Sequence, residues 1–138
     1  MPEIFVLDCS VAAKWILPEP GRESALELLA RYEAGEVSLI APELLLAEFA
    51  SLLAKRRRRK QLSAAQARQA FQLLARCSVR LFDVQSRLVH ALDLALERNL
   101  SLWDCVYLAL AIEHGCPLLT ADRRLLRSGL HSLVRLVG

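Results

Sequence analysis

The stretch Ile4-Phe5-Val6-Leu7-Asp8-Cys9-Ser10 decides how the rest of the chain reads. Four apolar residues run straight into an aspartate, and a serine suited to starting a helix follows two positions later. An unbroken apolar run of this kind predicts a strand over 4–7 buried on both faces. Its aspartate falls where the backbone leaves the sheet, and in open α/β folds ligands bind at that carboxyl edge. One carboxylate there is equally well explained as a helix cap. The test is whether the remaining chain brings further acids to the same edge.

Outward from this strand, a short helix is predicted over Ser10–Ile16 with Ser10 as its N-cap, closed by the rigid turn Pro18-Glu19-Pro20-Gly21. A second helix spans about Arg22–Ala34, with Ala25, Leu28, Leu29 and Tyr32 at helical spacing and Gly35 just past its end. Val37–Ile40 reads as a strand, and Pro42 as a first-turn proline of a helix running to about Lys60 on the stripe Leu45, Phe49, Leu52 and Leu53. Ser63 and Gln66 form a capping box for a helix to about Cys77, with Ala67, Ala70, Phe71 and Leu74 apolar. These two helices make an αα-hairpin. A strand over Val79–Val84 follows, then a helix over Ser86–Arg98 with Leu88, Leu92, Ala95 and Leu96 on its apolar side and Asn99 as a left-handed cap. The last elements are a helix from Ser101 to His114 ended by Gly115, a strand over Cys116–Thr120, a short helix over Arg123–Arg127 and a strand near Leu133–Val137. Apolar strands separated by helices predict an α/β fold, a three-layer α/β/α sandwich on a mainly parallel sheet, in a single domain over 1–138.

The chain is 54% hydrophobic, with a mean hydropathy of +0.30, yet no apolar run approaches the ~20 residues that span a bilayer. The amino terminus lacks a signal-type segment, so a cytoplasmic protein is expected, with no membrane partner. Of 18 basic residues, six are consecutive: Lys55-Arg56-Arg57-Arg58-Arg59-Lys60, at the tip of the helical hairpin. Without them 12 basic residues face 15 acidic ones, so the body is mildly acidic with one concentrated cationic patch. Cys9, Cys77, Cys105 and Cys116 form no C-x-x-C pair and read as reduced, buried thiols rather than as a disulfide framework or zinc site.

Four acids stand out. Asp8 and Asp122 end apolar strands that run the same way if the sheet is parallel, and so emerge on one edge. Glu48 lies on the apolar side of its helix, three residues after Leu45, where a carboxylate is costly unless paired or bound to metal. Asp104 occupies the first turn of an almost wholly apolar helix, Leu102 to Ala111. Each acid alone has an ordinary reading as a cap, a dipole partner or a surface group. Gathered, they would repel one another, and a divalent cation relieves that repulsion. Carboxylate oxygens are hard ligands suited to Mg²⁺ or Mn²⁺.

The order Asp8-x-Ser10, Ala41-Pro42-Glu43 leading to Glu48, Leu102-x-Asp104-x-x-Tyr107-Leu108-Ala109-Leu110-Ala111, and Thr120-Ala121-Asp122 resembles the PIN-domain family, in particular the small toxins of VapC type. The likeness covers essentially the whole chain. It implies a metal-dependent ribonuclease whose acids correspond to Asp8, Glu48, Asp104 and Asp122, with Asp8, Asp104 and Asp122 on the metal and Ser10 and Thr120 positioning the site. It further implies a homodimer and an antitoxin protein whose carboxyl-terminal segment lies across the active cleft. Cys105 stands where the family usually has a small alanine or serine, a mild departure.

The Lys55–Lys60 run fits RNA phosphate contacts and a solvated helix end about equally, and pairing with an acidic antitoxin segment is a third use. A receiver domain is disfavoured because the middle strand carries only Asp83. A haloacid-dehalogenase-type phosphatase is disfavoured because Ser10 stands where its second aspartate belongs. A catalytically silent RNA- or protein-binding module and a nuclease acting on DNA are the alternatives that remain.

Overall fold

The structure, a computed structural model, describes residues 2–138. In chain order the elements are β1 (Glu3–Leu7), α1 (Cys9–Ile16), α2 (Arg22–Glu33), β2 (Val37–Pro42), α3 (Leu44–Arg58), α4 (Ala64–Ala75), β3 (Arg80–Phe82), α5 (Leu88–Arg98), α6 (Leu102–His114), β4 (Leu118–Thr120) and β5 (Val134–Leu136). Short 3-10 turns occupy Gln85–Arg87, Arg123–Arg127 and His131–Leu133.

The strands form one parallel sheet in the order β3-β2-β1-β4-β5. The chain builds outward from β1 through β2 to β3, then returns past β1 to add β4 and β5. The junction between β1 and β4 is therefore the topological switch point, where an open α/β sheet leaves a crevice at its carboxyl edge. Leu7 pairs with Leu119, so Asp8 leaves the sheet beside the end of β4.

Alternation along β1 sorts the core into two layers. Phe5 and Leu7 pack with Val11, Trp15, Leu28, Leu45, Phe49 and Leu74 from the first four helices, whereas Val6 packs with Ala91, Leu94 and the buried run Cys105–Ala111 of α6. The result is the expected α/β/α sandwich. Trp15 belongs wholly to the first layer, its Nε1 donating to the Ala25 carbonyl at 2.9 Å and its ring stacking on Tyr32. Gly21 takes a φ of +78°, and a side chain there would meet the backbone of Gly138, which packs against this turn.

Several local expectations hold. Ser63 accepts the Gln66 amide at 3.0 Å while Gln66 accepts the Ser63 amide at 2.8 Å, completing the capping box. Asn99 and Gly115 adopt left-handed backbone after α5 and α6. Others are corrected. Pro42 is the last residue of β2, paired with Phe82, and not a helical residue; the strand end tolerates its missing N–H because Glu43 donates to the Phe82 carbonyl instead. Ser10 is not an N-cap: α1 starts one residue earlier, and the serine hydroxyl serves the sheet edge. On α5 the buried face is Ala91 and Leu94, whereas Leu88, Val89, Leu92 and Leu96 are exposed, so the predicted apolar side points largely outward. Periodicity alone cannot choose between two apolar stripes on one helix. Of the cysteines, Cys105 and Cys116 are buried, while Cys9 and Cys77 are half-buried, and all are free thiols.

Candidate active site

Asp8 occupies the N-cap position of α1, yet its side chain makes no capping hydrogen bond. The carboxylate turns to the switch point instead. Ser10 Oγ donates to its Oδ2 at 2.7 Å, and Thr120 Oγ1 donates to the same oxygen at 2.6 Å. The two hydroxyls lie 3.2 Å apart, and Ser10 Oγ also accepts the Ala121 amide at 2.9 Å. Thr120, fully buried at the end of β4, accepts the Asp122 amide at 3.0 Å. One carboxylate is thus held by hydroxyls from the first turn of α1 and the end of β4. The Asp8 side chain therefore does not cap α1 but faces the sheet edge, where the Ser10 and Thr120 hydroxyls both donate to it.

Asp8, Glu48 and Asp104 lie close enough to affect one another. Burial lifts the Asp8 carboxyl above its ordinary range, the Thr120 and Ser10 hydrogen bonds oppose this, and the Asp104 charge adds to it. Glu48, half-buried on α3, is lifted by burial and by the charges of Asp8 and Asp104, against a lowering hydrogen bond from Tyr107. That bond, Tyr107 Oη to Glu48 Oε1, is 2.6 Å long and joins α6 to α3. Asp104 itself stands in the first turn of α6, where its amide donates to the Ser101 hydroxyl that caps the helix. Three acids from three separate elements therefore share one electrostatic neighbourhood.

Asp122 is engaged differently. Its carboxylate is gripped by Arg124, with Nε at 3.0 Å from Oδ1 and Nη2 at 2.6 Å from Oδ2, while the Arg124 amide donates to Oδ1 at 2.9 Å. This ion pair holds the Asp122 carboxyl below the usual carboxylate range. Among the described residues no three His, Cys, Asp or Glu side chains converge tightly enough to chelate an ion as they stand. The donor set nevertheless fits a hard divalent cation, since the Asp8, Glu48, Asp104 and Asp122 carboxylates and the Ser10 and Thr120 hydroxyls all offer oxygen. Asp8, Asp104 and Asp122 are the residues that would hold it, with Glu48 alongside. Cys9 does not compete as a nucleophile: burial and the neighbouring Glu48 and Asp8 charges push its thiol far up, keeping it protonated.

The sequence alone assigns no role to Tyr107 or Arg124. The signal for Tyr107 is its position three residues after Asp104, which puts both on one side of α6. Arg124, two residues after Asp122, has no signal beyond the tight turn between them. A groove of about 340 Å³ beside Glu48 is lined by Leu44, Ala47, Ser51 and the 52% exposed ring of Trp103.

The cationic run divides. Arg56 is half-buried and paired with Glu19, which also lies 3.9 Å from the buried Lys14 ammonium, so this arginine locks α3 to the Pro18–Gly21 turn. Its guanidinium is committed to Glu19, unlike those of its neighbours in the run. Lys55, Arg57, Arg58, Arg59 and Lys60 are exposed at the hairpin tip.

A family model described as PIN domain matches residues 5–129. A comparison with curated proteins returned no match. Among solved structures, that of PAE2754 from Pyrobaculum aerophilum has 22% identity and a TM-score of 0.72, covering 91% of this chain and 79% of that one. VapBC2 from Rickettsia felis, bound to a DNA fragment from their promoter, has 16% identity and a TM-score of 0.70, covering 98% of this chain and 99% of that one. A toxin–antitoxin complex from Klebsiella pneumoniae has 17% identity and a TM-score of 0.60, covering 88% of each chain. At these identities the likeness is one of fold. Among the described residues no helix is long and apolar enough to cross a membrane.

Proposed function

This chain belongs to the PIN-domain family, and from that premise we propose that it is a Mg²⁺- or Mn²⁺-dependent endoribonuclease, the toxin of a VapBC-like toxin–antitoxin pair, acting in the cytoplasm. The single domain over 1–138 carries the whole site. The observation that carries the reading is Asp8 at the switch point, held by Ser10 and Thr120 with Asp104 and Glu48 within electrostatic reach. The toxin assignment draws its support from two structural neighbours described as VapBC2 and as a toxin–antitoxin complex.

The bound cation would lower the pKa of a coordinated water and offset charge on the phosphate. The chain's own groups do the rest. Ser10 and Thr120 spend both hydroxyl protons on Asp8 Oδ2, fixing the carboxylate's plane and leaving Oδ1 without a side-chain hydrogen bond among the described residues. Tyr107 fixes Glu48 through Oε1, which leaves Oε2 to orient a water and accept its proton. Burial raises the proton affinity of Glu48 over that of a free glutamate, which suits this task. In the reaction the water oxygen bonds to phosphorus as one P–O ester bond breaks, and a proton returns to the departing oxygen.

Exposed Trp103 beside Glu48 presents a face on which an unpaired base can stack, which favours single-stranded RNA. The homodimer and the antitoxin segment across the cleft complete the proposal, and the exposed Lys55 and Arg57–Lys60 side chains offer phosphate or antitoxin contacts. Cleavage of RNA and DNA oligonucleotides side by side, with Mg²⁺ or with EDTA, is the test. Metal-dependent cutting of RNA that disappears in folded Asp8→Asn and Asp104→Asn variants is expected. Undiminished cleavage by those variants overturns the site; cutting of DNA alone, or of neither, returns the nuclease-on-DNA or silent-module alternatives.

A further inference from the structure

We propose that Arg124 is a tethered counter-cation that competes with the metal for the Asp122 carboxylate. The inference rests on the metal-dependent reading of the same edge and adds a competitor built into the chain.

Three observations carry it. First, both Asp122 oxygens are engaged: Oδ1 accepts the Arg124 amide and Nε at 2.9 and 3.0 Å, and Oδ2 accepts Nε and Nη2 at 3.2 and 2.6 Å. Lone pairs directed at N–H groups are not free for a metal. Second, the guanidinium lies within electrostatic reach of Asp104 as well, so it stands against the acidic edge where a cation is expected. Third, the grip is local and open. The two residues are separated by one position, the arginine side chain is 82% exposed and the aspartate 23%. At that exposure the guanidinium can swing into solvent without disturbing the core.

Arginine suits this role better than lysine. Its charge is permanent and its planar fork matches a carboxylate with two parallel hydrogen bonds. An exposed pair of this kind is weak, so the clamp tunes metal affinity by a small factor and does not abolish binding. The Arg124 charge also offsets those of Asp122 and Asp104, which is the service a bound metal would perform there.

The test is Mn²⁺ binding to the whole chain, followed by calorimetry and by the electron-spin signal of free Mn²⁺, at fixed ionic strength. Arg124→Ala is expected to bind Mn²⁺ about two- to five-fold more tightly than the parent, a factor set by the weakness of an exposed pair. Arg124→Lys, which keeps the charge and loses the fork, is expected to fall between. In an Asp122→Asn background the Arg124→Ala gain should vanish, because the competition is for that carboxylate. Melting in EDTA confirms that each variant is folded. Equal Mn²⁺ affinity in parent and Arg124→Ala overturns the clamp and leaves the nuclease reading standing. Weaker affinity, or a loss of cleavage at unchanged affinity, also overturns it, since the arginine would then act on the site or the substrate phosphate. Absence of Mn²⁺ binding in every variant overturns both.

Discussion

The acidic edge of the sheet and the cationic tip of the α3–α4 hairpin concentrate charge in opposite ways. At the edge, acids far apart in the chain are brought into one neighbourhood by β1, α3 and α6, and three of the four acids have a dedicated partner: Ser10 and Thr120 for Asp8, Tyr107 for Glu48, Arg124 for Asp122. At the tip, six cations are consecutive in sequence, and one of them, Arg56, is tied down by Glu19. Buried charges interact strongly and need specific partners, because little water screens them. Exposed charges of one sign need none, because solvent and salt carry the cost. On the proposed function the first arrangement does chemistry at a point and the second attracts over a distance.

The sharpest way to break this contrast is at Asp8. Removing one group that stabilises transition-state charge costs on the order of 10²–10³ in kcat, so Asp8→Asn is expected to lose RNA cleavage by at least that factor. Its effect on folding runs the other way. The folded pKa of Asp8 is raised above the ordinary 3.8. The folded state therefore holds this proton more tightly than the unfolded state. Its contribution to stability is present at low pH and is lost as pH climbs from 3.8 through the raised value. Melting curves in EDTA from about pH 4 to 8, the span in which a raised carboxyl titrates, should show Asp8→Asn gaining on the parent as pH rises. Parallel curves would remove the case for a buried, strained carboxylate.

At the tip the expected effect is on binding and its salt dependence. Each RNA phosphate that a removed cation had neutralised should flatten the slope of log affinity against log salt by about 0.7 for a single strand. Converting Arg57, Arg58 and Arg59 to glutamine is expected to flatten it by about 2 in filter-binding titrations at several salt concentrations. An unchanged slope would assign the tip to the antitoxin or to solvent. Arg56→Gln belongs to the other class: it should lower the melting temperature and leave the slope alone, because its partner is Glu19.

Tyr107→Phe tests whether the partners at the edge matter singly. Losing a hydrogen bond to a charged group costs about 1.5–3 kcal/mol, and here that bond holds the Glu48 pKa down. The acidic limb of the pH–rate profile should therefore move to higher pH. A limb that stays put would take Glu48 out of the proton-transfer role. The smallest effect is expected at Ser63→Ala, which removes the capping box at the start of α4 and should cost about 1 kcal/mol in denaturant unfolding without changing cleavage.

Much of this molecule is legible locally. The apolar run before Asp8, the capping box at Ser63 and Gln66, the left-handed ends at Asn99 and Gly115, and the buried run of α6 all follow from side-chain chemistry within a few residues. The four acids can be singled out for the same reason: a carboxylate that ends an apolar strand, as Asp8 and Asp122 do, or sits in an apolar helix, as Glu48 and Asp104 do, is conspicuous wherever the fold places it. Position in three dimensions is another matter. Whether α5 turns Leu92 or Leu94 inward depends on what α6 presents to it, and both stripes are apolar. The fate of Ser10 depends on Thr120, 110 residues away, arriving within 3.2 Å of it. Likewise Glu48 meets Tyr107 across 59 residues, and Glu19 meets Arg56 across 37. Hydrogen bonds and ion pairs act over a few ångströms, so residues distant in the chain become partners only when the parallel sheet and its helices have closed around them. A chain can announce its acids; their company is decided by the fold.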